Sequence, residues 1–235
     1  MSEQTPPTRW ARNTGGEAGE DYARRMAEAT RAAAQSGHDV HGEARLVHDL
    51  AGPGARVLDA GCGTGRVAIA LADLGHPVLG VDADLSMLRV AAEHAPGIPF
   101  WLSDLASLDV PQAAIAGGFD AVVMAGNVVP YLAEGTLGDV ASQLALVTRP
   151  GGLLVAGFGL HPSELPSGVP VTDVAAYDAA CAAAGHARPR DASTRGEACS
   201  WWGLRAQAPA GARPTSPHAF APPGSLWWCG TTWIA

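Results

Sequence analysis

The chain has 235 residues, of which 47% are hydrophobic and 16% charged, and its formal net charge is −8. This length suits one large domain with a substantial core, and no apolar run approaches the roughly 20 residues of a membrane span. All 15 basic residues are arginine, and no arginine cluster supplies the basic surface that nucleic-acid binding requires. A nucleic-acid substrate is therefore disfavoured.

The start of the sequence and the cysteine spacing indicate the compartment. The first residues, Met-Ser-Glu-Gln-Thr-Pro-Pro, have neither the basic start nor the apolar stretch of a signal peptide, so we expect a cytoplasmic protein. The cysteines form no Cys-x-x-Cys pair and have no histidine at zinc-finger spacing. We expect them to be small buried apolar residues, and we predict no metal site. They are Cys62, Cys181, Cys199 and Cys229.

The N-terminal region, residues 1–52, is predicted to be an arm followed by two helices. Residues 1–18 are polar and contain Pro6, Pro7 and two glycines, which favours a mobile arm. A helical pattern runs from about residue 20 to 35 and ends at Gly37. A second helix is predicted for about residues 42–50 and stops before Gly52 and Pro53.

The most informative stretch is residues 57–66, Val-Leu-Asp-Ala-Gly-Cys-Gly-Thr-Gly-Arg. An apolar run, then glycine at every second position, then a helical pattern predicts a strand, a tight turn and the start of a helix, the unit of nucleotide-binding α/β folds. Gly61, Gly63 and Gly65 lack a Cβ atom, so the backbone can turn sharply and a ligand can lie against it. We expect a nucleoside to bind here.

Asp59, at the end of this strand, bears on which nucleoside binds. A carboxylate repels a pyrophosphate but suits a ligand that carries an ammonium and a sulfonium. The dinucleotide pattern Gly-x-Gly-x-x-Gly places Arg66 at its last position when counted from Gly61, but Ala68, which that pattern tolerates, when counted from Gly63. NAD therefore stays open as an alternative on this stretch alone.

A second buried strand, Pro77 to Asp82, also ends in an acid. Asp82 lies 21 residues after Gly61, near the distance at which such folds place a carboxylate on ribose hydroxyls. Its two oxygens can accept from both hydroxyl groups. Asp84 is predicted to cap the next helix, residues 85–94, at its N-terminus.

Strands and helices continue to alternate after this helix, which predicts a doubly wound α/β sheet. Further strands are predicted at residues 99–102, 119–125 and 153–158, with a helix at about 137–147 before the last of them. Thr172 is predicted to cap a helix that ends at Gly185.

Together these segments resemble the class I S-adenosylmethionine-dependent methyltransferases. Residues 59–65 resemble the first motif of that family, an acid followed by Gly-x-Gly-x-Gly, and residues 80–88, Gly-Val-Asp-Ala-Asp-Leu-Ser-Met-Leu, resemble its second motif. The resemblance runs from about residue 56 to 158. It implies a Rossmann-like sheet with strand order 3-2-1-4-5-7-6, strand seven antiparallel, and S-adenosylmethionine as cofactor. The implied cofactor-binding residues are Asp59, Gly61, Gly63, Gly65, Asp82, Asp104, Leu105 and Ala125.

The resemblance also implies individual roles. The acid at Asp104 accepts from the adenine amino group, and the next backbone N–H, that of Leu105, donates to the ring. The N-terminal helices of the family cover the cofactor, which makes Tyr22 and His41 candidates for the roof of the site. Residues 127–131 differ from the Asn-Pro-Pro-Tyr motif of some amino methyltransferases in length and proline content, so that chemistry is not transferred.

The implied function is methyl transfer to a small-molecule acceptor, with release of S-adenosylhomocysteine. No catalytic residue is assigned, because a general base is needed only when the acceptor is a weak acid. A non-catalytic module that binds S-adenosylmethionine, and an NAD-dependent oxidoreductase, are the alternatives.

The C-terminal region departs from the family pattern. We predict a methyltransferase domain over residues 53–204, with one strand near residues 199–204, and an irregular, loosely packed tail over residues 205–235. Because the family's closing hairpin is not readable here, we also expect a homo-oligomer or an aggregation-prone protein.

Overall fold

The computed structural model describes residues 7–14, 19–187, 194–195 and 200–206. Its helices of four residues or more are α1 (Arg9–Thr14), α2 (Gly19–Gln35), α3 (Gly42–Ala51), α4 (Arg66–Asp73), α5 (Leu85–His94), α6 (Gln112–Ile115), α7 (Val128–Tyr131), α8 (Leu137–Val147) and α9 (Val174–Ala183). Its strands are β1 (Val57–Ala60), β2 (Val78–Asp82), β3 (Phe100–Leu102), β4 (Phe119–Met124), β5 (Thr148–Phe158), β6 (His186–Ala187), β7 (Thr194–Arg195) and β8 (Ser200–Ala206).

Within the described residues the strands form one sheet of order β3-β2-β1-β4-β5-β8-β6, with β7 also paired to β8. The first five strands are mutually parallel, whereas β8 is antiparallel to β5 along residues 153–158. The predicted α/β fold with the order 3-2-1-4-5 is therefore confirmed. The strand predicted near residues 199–204 is present as β8.

Strands β1, β2 and β4 and residues 152–158 of β5 are buried on both faces, as their apolar runs predict, whereas the edge strand β3 is partly exposed. One face carries Leu58, Val122 and Leu154 and packs against α8 and α9. The opposite face carries Val57, Val123 and Val155 and packs against α3 and α4. Alternate residues of each strand thus serve different halves of the core, which fixes the register because a one-residue slip would exchange the two faces.

Two local predictions are wrong. Residues 9–14, expected in a mobile arm, form helix α1. Helix α9 is capped by Asp173, whose side chain accepts a hydrogen bond from the Ala175 N–H, and not by Thr172. The aspartate and threonine are adjacent and both can cap a helix, so the sequence did not separate them. No helix among the described residues is long and apolar enough to cross a membrane.

Candidate functional site

The carboxyl ends of β1, β2 and β4 meet at one edge of the sheet, where the predicted acids and glycines lie. Gly61, Gly63 and Gly65 form the turn between β1 and α4, and all have positive φ, at 82°, 53° and 83°. Residues with a Cβ atom rarely adopt this backbone, so the alternating glycines are explained first by the shape of the turn.

The three glycines have different surroundings. A Cβ atom on Gly61 would lie 2.5 Å from a methyl group of Val128, and one on Gly65 would lie 3.1 Å from the ring of Phe100. A Cβ atom on Gly63 would meet nothing within 4 Å. Gly61 and Gly65 are therefore required by packing, whereas Gly63 faces open space on the side where a ligand could lie.

Asp82 fixes the position of this turn. Its Oδ2 accepts from the Gly63 N–H at 2.8 Å and its Oδ1 accepts from the Asp84 N–H at 2.9 Å. Withdrawal from water raises the pKa of Asp82 to about 6, although both backbone hydrogen bonds oppose the shift. The residue predicted to bind ribose thus already holds the glycine turn against the end of β2.

Asp59 is the least satisfied polar group of the site. Its side chain is only 1% exposed, and its Oδ2 has no hydrogen-bond partner among the described residues. Burial raises the pKa of Asp59 to about 7, against the favourable field of the Arg66 guanidinium. A buried carboxylate oxygen without a partner is costly, so the site favours a cationic ligand that would supply one.

Arg66 and Glu43, which the sequence analysis did not assign to the site, form an ion pair beside Asp59. Both terminal guanidinium nitrogens donate to the Glu43 carboxylate, Nη2 at 2.7 Å, and Nη1 also donates to the Val40 carbonyl at 2.7 Å. Burial disfavours the charged guanidinium, but Glu43 outweighs burial and the pKa of Arg66 is raised. The pair joins α3 to the first turn of α4.

Asp104 and Leu105 lie just after β3, next to the end of β2. The Ser103 N–H donates to the Asp82 carbonyl at 2.9 Å, so the two strand ends are tied together. Asp104 Oδ1 accepts from the Ala106 N–H at 2.8 Å and caps a short 3₁₀ turn, residues 105–107. This structural role is compatible with the adenine contact, which stays a prediction.

The segment after β4 completes the edge. Ala125 is buried at the end of β4, and Gly126 and Asn127 both have positive φ, at 70° and 68°. Asn127 is the only such non-glycine residue in the described chain, and its Oδ1 accepts from the Gly159 N–H at 2.7 Å. This strained turn therefore links the loops that follow β4 and β5.

The N-terminal candidates differ in position. Tyr22 is partly buried and its ring packs edge-on against that of Trp10, with centroids 5.6 Å apart, whereas His41 is exposed. The Trp10 ring also packs edge-on against that of Tyr131, with centroids 5.3 Å apart, and its indole N–H donates to Asp84 Oδ2 at 2.8 Å. Trp10 was missed because residues 1–18 were expected to form an arm. Helix α1 thus connects the loops after β2 and β4.

The described residues contain no group of three or more histidine, cysteine, aspartate or glutamate side chains that could hold a metal ion. The site is instead a glycine turn bordered by two buried or partly buried carboxylates. Such a turn at the carboxyl edge of a doubly wound sheet defines a nucleoside-binding α/β protein.

Comparisons with known proteins name the family. Residues 57–152 match the family described as a methyltransferase domain. Human glycine N-methyltransferase is 39% identical over 129 residues, covering 48% of this chain and 43% of that protein. A demethylmenaquinone methyltransferase from Renibacterium salmoninarum is 35% identical over 124 residues, covering 52% of this chain and 49% of that protein. The chain thus spans less than half the length of these curated relatives.

Solved structures of other proteins share the fold over a longer part of this chain than the sequence matches cover. A TehB-like S-adenosylmethionine-dependent methyltransferase from Corynebacterium glutamicum has a TM-score of 0.67 and 26% identity, covering 80% of this chain and 99% of that one. An amino pentose methyltransferase from Micromonospora echinaspora, with S-adenosylmethionine bound, shares the fold at a TM-score of 0.54 and 19% identity, covering 88% of this chain and 100% of that one. Residues 57–152 thus carry a methyltransferase domain, and the comparisons together support a class I S-adenosylmethionine-dependent methyltransferase.

Proposed function

We propose that the chain binds S-adenosylmethionine at the carboxyl edge of its sheet and transfers the methyl group to a small-molecule acceptor, releasing S-adenosylhomocysteine. The observation that carries the proposal is the partner-free oxygen of Asp59, buried beside an open glycine turn. An ammonium and a sulfonium would both be attracted to this carboxylate. The curated relatives methylate glycine and demethylmenaquinone by their names, which supports a small acceptor.

The residues of the turn would divide the binding among them. Asp59 would face the ammonium group of the amino-acid end, and the open side of Gly63 would let the nucleoside lie against the backbone. Asp82 and Asp104 would accept hydrogen bonds from the ribose hydroxyls and the adenine amino group, with the Leu105 N–H as donor and Ala125 at the wall. These assignments follow from the family resemblance and from the position of each residue at the edge.

The bound cofactor supplies an activated methyl group on a positively charged sulfur. The protein contributes mainly by holding the acceptor in line, an effect that supplies roughly 7 to 11 kcal/mol in well-oriented cases. Asn127 supports this positioning by tying the loop after β4 to the loop after β5. No side chain is assigned as a general base.

The site disfavours the alternative of an NAD-dependent oxidoreductase. Asp59 borders the turn where a pyrophosphate would lie, and a carboxylate at that place repels it. A turnover assay distinguishes an enzyme from the alternative, a non-catalytic module that binds S-adenosylmethionine. Cofactor binding with no methyl transfer to any of a panel of small amines, phenols and thiols would support the non-catalytic module. The domain limits 53–204, the cytoplasmic location and a homo-oligomeric state stay proposals.

Ligand-dependent stability tests the proposal. S-adenosylhomocysteine at roughly 100 times its Kd should add about 2.7 kcal/mol to the free energy of unfolding, measured by thermal shift. NADH should add nothing. Stabilisation by NADH alone would establish the oxidoreductase alternative, and no shift with millimolar S-adenosylhomocysteine would end the methyltransferase proposal.

The substitution Asp82→Ala should weaken S-adenosylhomocysteine binding by at least tenfold, because each lost hydrogen bond to a charged group contributes about 1.5 to 3 kcal/mol. Asp173→Ala is the control, since Asp173 also accepts from a backbone N–H but lies at the start of α9. Calorimetry on both variants measures the difference. Unchanged affinity of the Asp82 variant would move the ribose role to another acid, with Asp84 next.

A further inference from the structure

A cavity of about 230 Å³ lies beside the cofactor site, on the other side of α7. Its wall includes Val129 and Leu132 from α7 and the following turn, Leu137 from α8, and Val171 from the loop after β5. The neighbouring residue Val128 is the one whose methyl groups lie over Gly61. The cavity and the glycine turn are thus separated by one short helix.

The size and lining of the cavity set the kind of ligand. A volume of 230 Å³ lies between the roughly 150 Å³ of an engineered cavity that holds benzene and the roughly 300 Å³ at which pockets for drug-sized ligands begin. Most of the lining side chains are apolar. Because the exposed wall is about as polar as it is apolar, the cavity suits a compact molecule of about the size of a substituted benzene ring that carries polar as well as apolar groups.

Two charged residues in the wall, Arg9 and Asp173, are held differently. Arg9 is partly buried, and its Nη1 donates only to the carbonyl oxygens of Pro130 and Leu132, at 3.3 and 3.2 Å. The described residues provide it with no carboxylate partner. A partly buried guanidinium that meets only neutral acceptors favours an anionic ligand, and its planar fork matches a carboxylate.

Asp173 is exposed, and its carboxylate already caps α9 through the Ala175 N–H at 2.9 Å. A carboxylate at a helix N-terminus is stabilised by the peptide dipoles, so it needs no further cation. Of the two charges in the cavity wall, the one that is partly withdrawn from water is therefore the positive charge of Arg9.

We propose that this cavity binds the carboxylate-bearing, non-reacting end of the methyl acceptor, so that the acceptor class is a small carboxylate. The inference rests on the proposed methyl transfer. Arg9 holds the carboxylate, and the apolar residues of α7 and the loop after β5 hold the body of the molecule. The acceptor is thereby anchored next to the loop that follows β4.

The test measures binding of three matched probes, 4-hydroxybenzoate, 4-hydroxybenzamide and 4-hydroxybenzylamine, to the full chain saturated with S-adenosylhomocysteine. Calorimetry and saturation-transfer NMR give the affinities. We expect the carboxylate to bind about tenfold more tightly than the amide, the difference that one charge-assisted hydrogen bond provides. Arg9→Gln should abolish this preference, whereas Arg12→Gln, an exposed arginine on the same helix, should retain it.

Since Arg9 also bonds to the carbonyl oxygens after α7, a second variant avoids α1 altogether. Val171 is 41% exposed and lines the cavity, so Val171→Asp adds a negative charge to the wall without removing any hydrogen bond of α1. It should weaken the carboxylate about tenfold and leave the amide unchanged. Equal binding of all three probes, or preference for the amine, overturns the inference.

The same samples separate the two proposals. If S-adenosylhomocysteine stabilises the protein but the carboxylate preference is missing, only the acceptor inference fails. If S-adenosylhomocysteine gives no stabilisation, the proposed function fails first.

Discussion

At the scale of single residues, the site is dominated by a carboxylate that folding leaves without a partner. Asp59 follows two apolar residues of a central strand, and its Oδ2 is buried in the core. The sequence predicted the acid, its strand and its charge preference. It could not predict that the oxygen would be unpaired, because this depends on the distance to Arg66 and Glu43 in the folded chain.

The raised pKa of Asp59 predicts a pH dependence of ligand binding. With a pKa of about 7, the ionised fraction of Asp59 rises about tenfold between about pH 6 and pH 8, and the ammonium group of the ligand needs the ionised form. S-adenosylhomocysteine should therefore bind about tenfold more tightly at the higher pH, measured by calorimetry. Asp59→Asn should bind weakly and change no more than about twofold over this range, the change that Asp82 with its pKa of about 6 allows, and an equally shallow profile in the parent protein would contradict the role of Asp59.

The same shift has the opposite effect on the stability of the ligand-free protein. Asp59 holds its proton up to about pH 7 when folded but loses it near pH 3.8 when unfolded. The native state therefore binds more protons between these values, and the contribution of Asp59 to stability falls as the pH rises through this window. Denaturation of the parent and the Asp59→Asn variant at several pH values gives this contribution by difference.

A substitution at Gly63 tests whether the ligand lies against the open side of the turn, and a control substitution measures the cost of backbone strain separately. Gly63 and Gly75 both have positive φ, and a Cβ atom on either would meet nothing within 4 Å. Alanine at each position should thus cost about 1 kcal/mol of stability, since an L-residue disfavours this backbone. Only Gly63→Ala should also lose S-adenosylhomocysteine affinity. Equal affinities for the two variants would mean that the ligand does not lie against Gly63.

At the scale of secondary-structure elements, most of what was predicted rests on local patterns. Apolar runs, glycine turns and capping residues predicted β1 to β5 and the helices α4, α5 and α8, but not the short helices α6 and α7, because each signal lies within a few residues of its effect. Contacts between distant elements carried no such signal. Glu43 and Arg66 are 23 positions apart, and Trp10 and Asp84 are 74 apart. Helix α1 was missed for the same reason, since its anchors lie on other elements.

The ion pair between Arg66 and Glu43 is predicted to hold α3 against the cofactor edge. Glu43→Gln leaves the partly buried guanidinium without its counter-charge and should lower the free energy of unfolding by about 1 to 3 kcal/mol. It should also weaken S-adenosylhomocysteine binding, because Arg66 loses its fixed position beside Asp59. Chemical denaturation and calorimetry measure the two effects.

Arg45→Gln is the matched control for this pair. Arg45 lies on the same helix and pairs with Asp39, but its side chain is 46% exposed, so the change should cost less than about 1 kcal/mol. A Glu43 variant no less stable than the Arg45 variant would argue against an anchoring role for the buried pair.

At the scale of the whole molecule, β8 closes the sheet against β5 and pairs with β6 and β7. The sequence predicted one strand here but not its partners, because its register with β5 is set by residues about 50 positions away. The irregular tail was predicted to begin at residue 205, but β8 continues to Ala206, so the first two residues of that region belong to the sheet. The remainder of the tail, residues 207–235, lies outside the described residues, so its loose packing and the expected oligomerisation stay predictions.

Two truncations test the role of β8. A chain that ends after Ala206 keeps every strand of the described sheet and should fold and bind S-adenosylhomocysteine like the full chain. A chain that ends after Ala187 lacks β8, which leaves residues 153–158 of β5 unpaired at one edge, and should aggregate. Light scattering and thermal shift compare them. A monomeric shorter chain, or a longer chain that fails to bind, would contradict this role.

The strand order also has a consequence for synthesis on the ribosome. β8 lies between β5 and β6 in the sheet but follows both in the chain, so β6 has no place to pair until β8 arrives. About 50 residues separate the end of β5 from the end of β8, which take roughly 2 to 10 seconds to translate. During that interval the nascent chain exposes the apolar edge of β5. A chaperone would therefore protect the chain from aggregation most during this period.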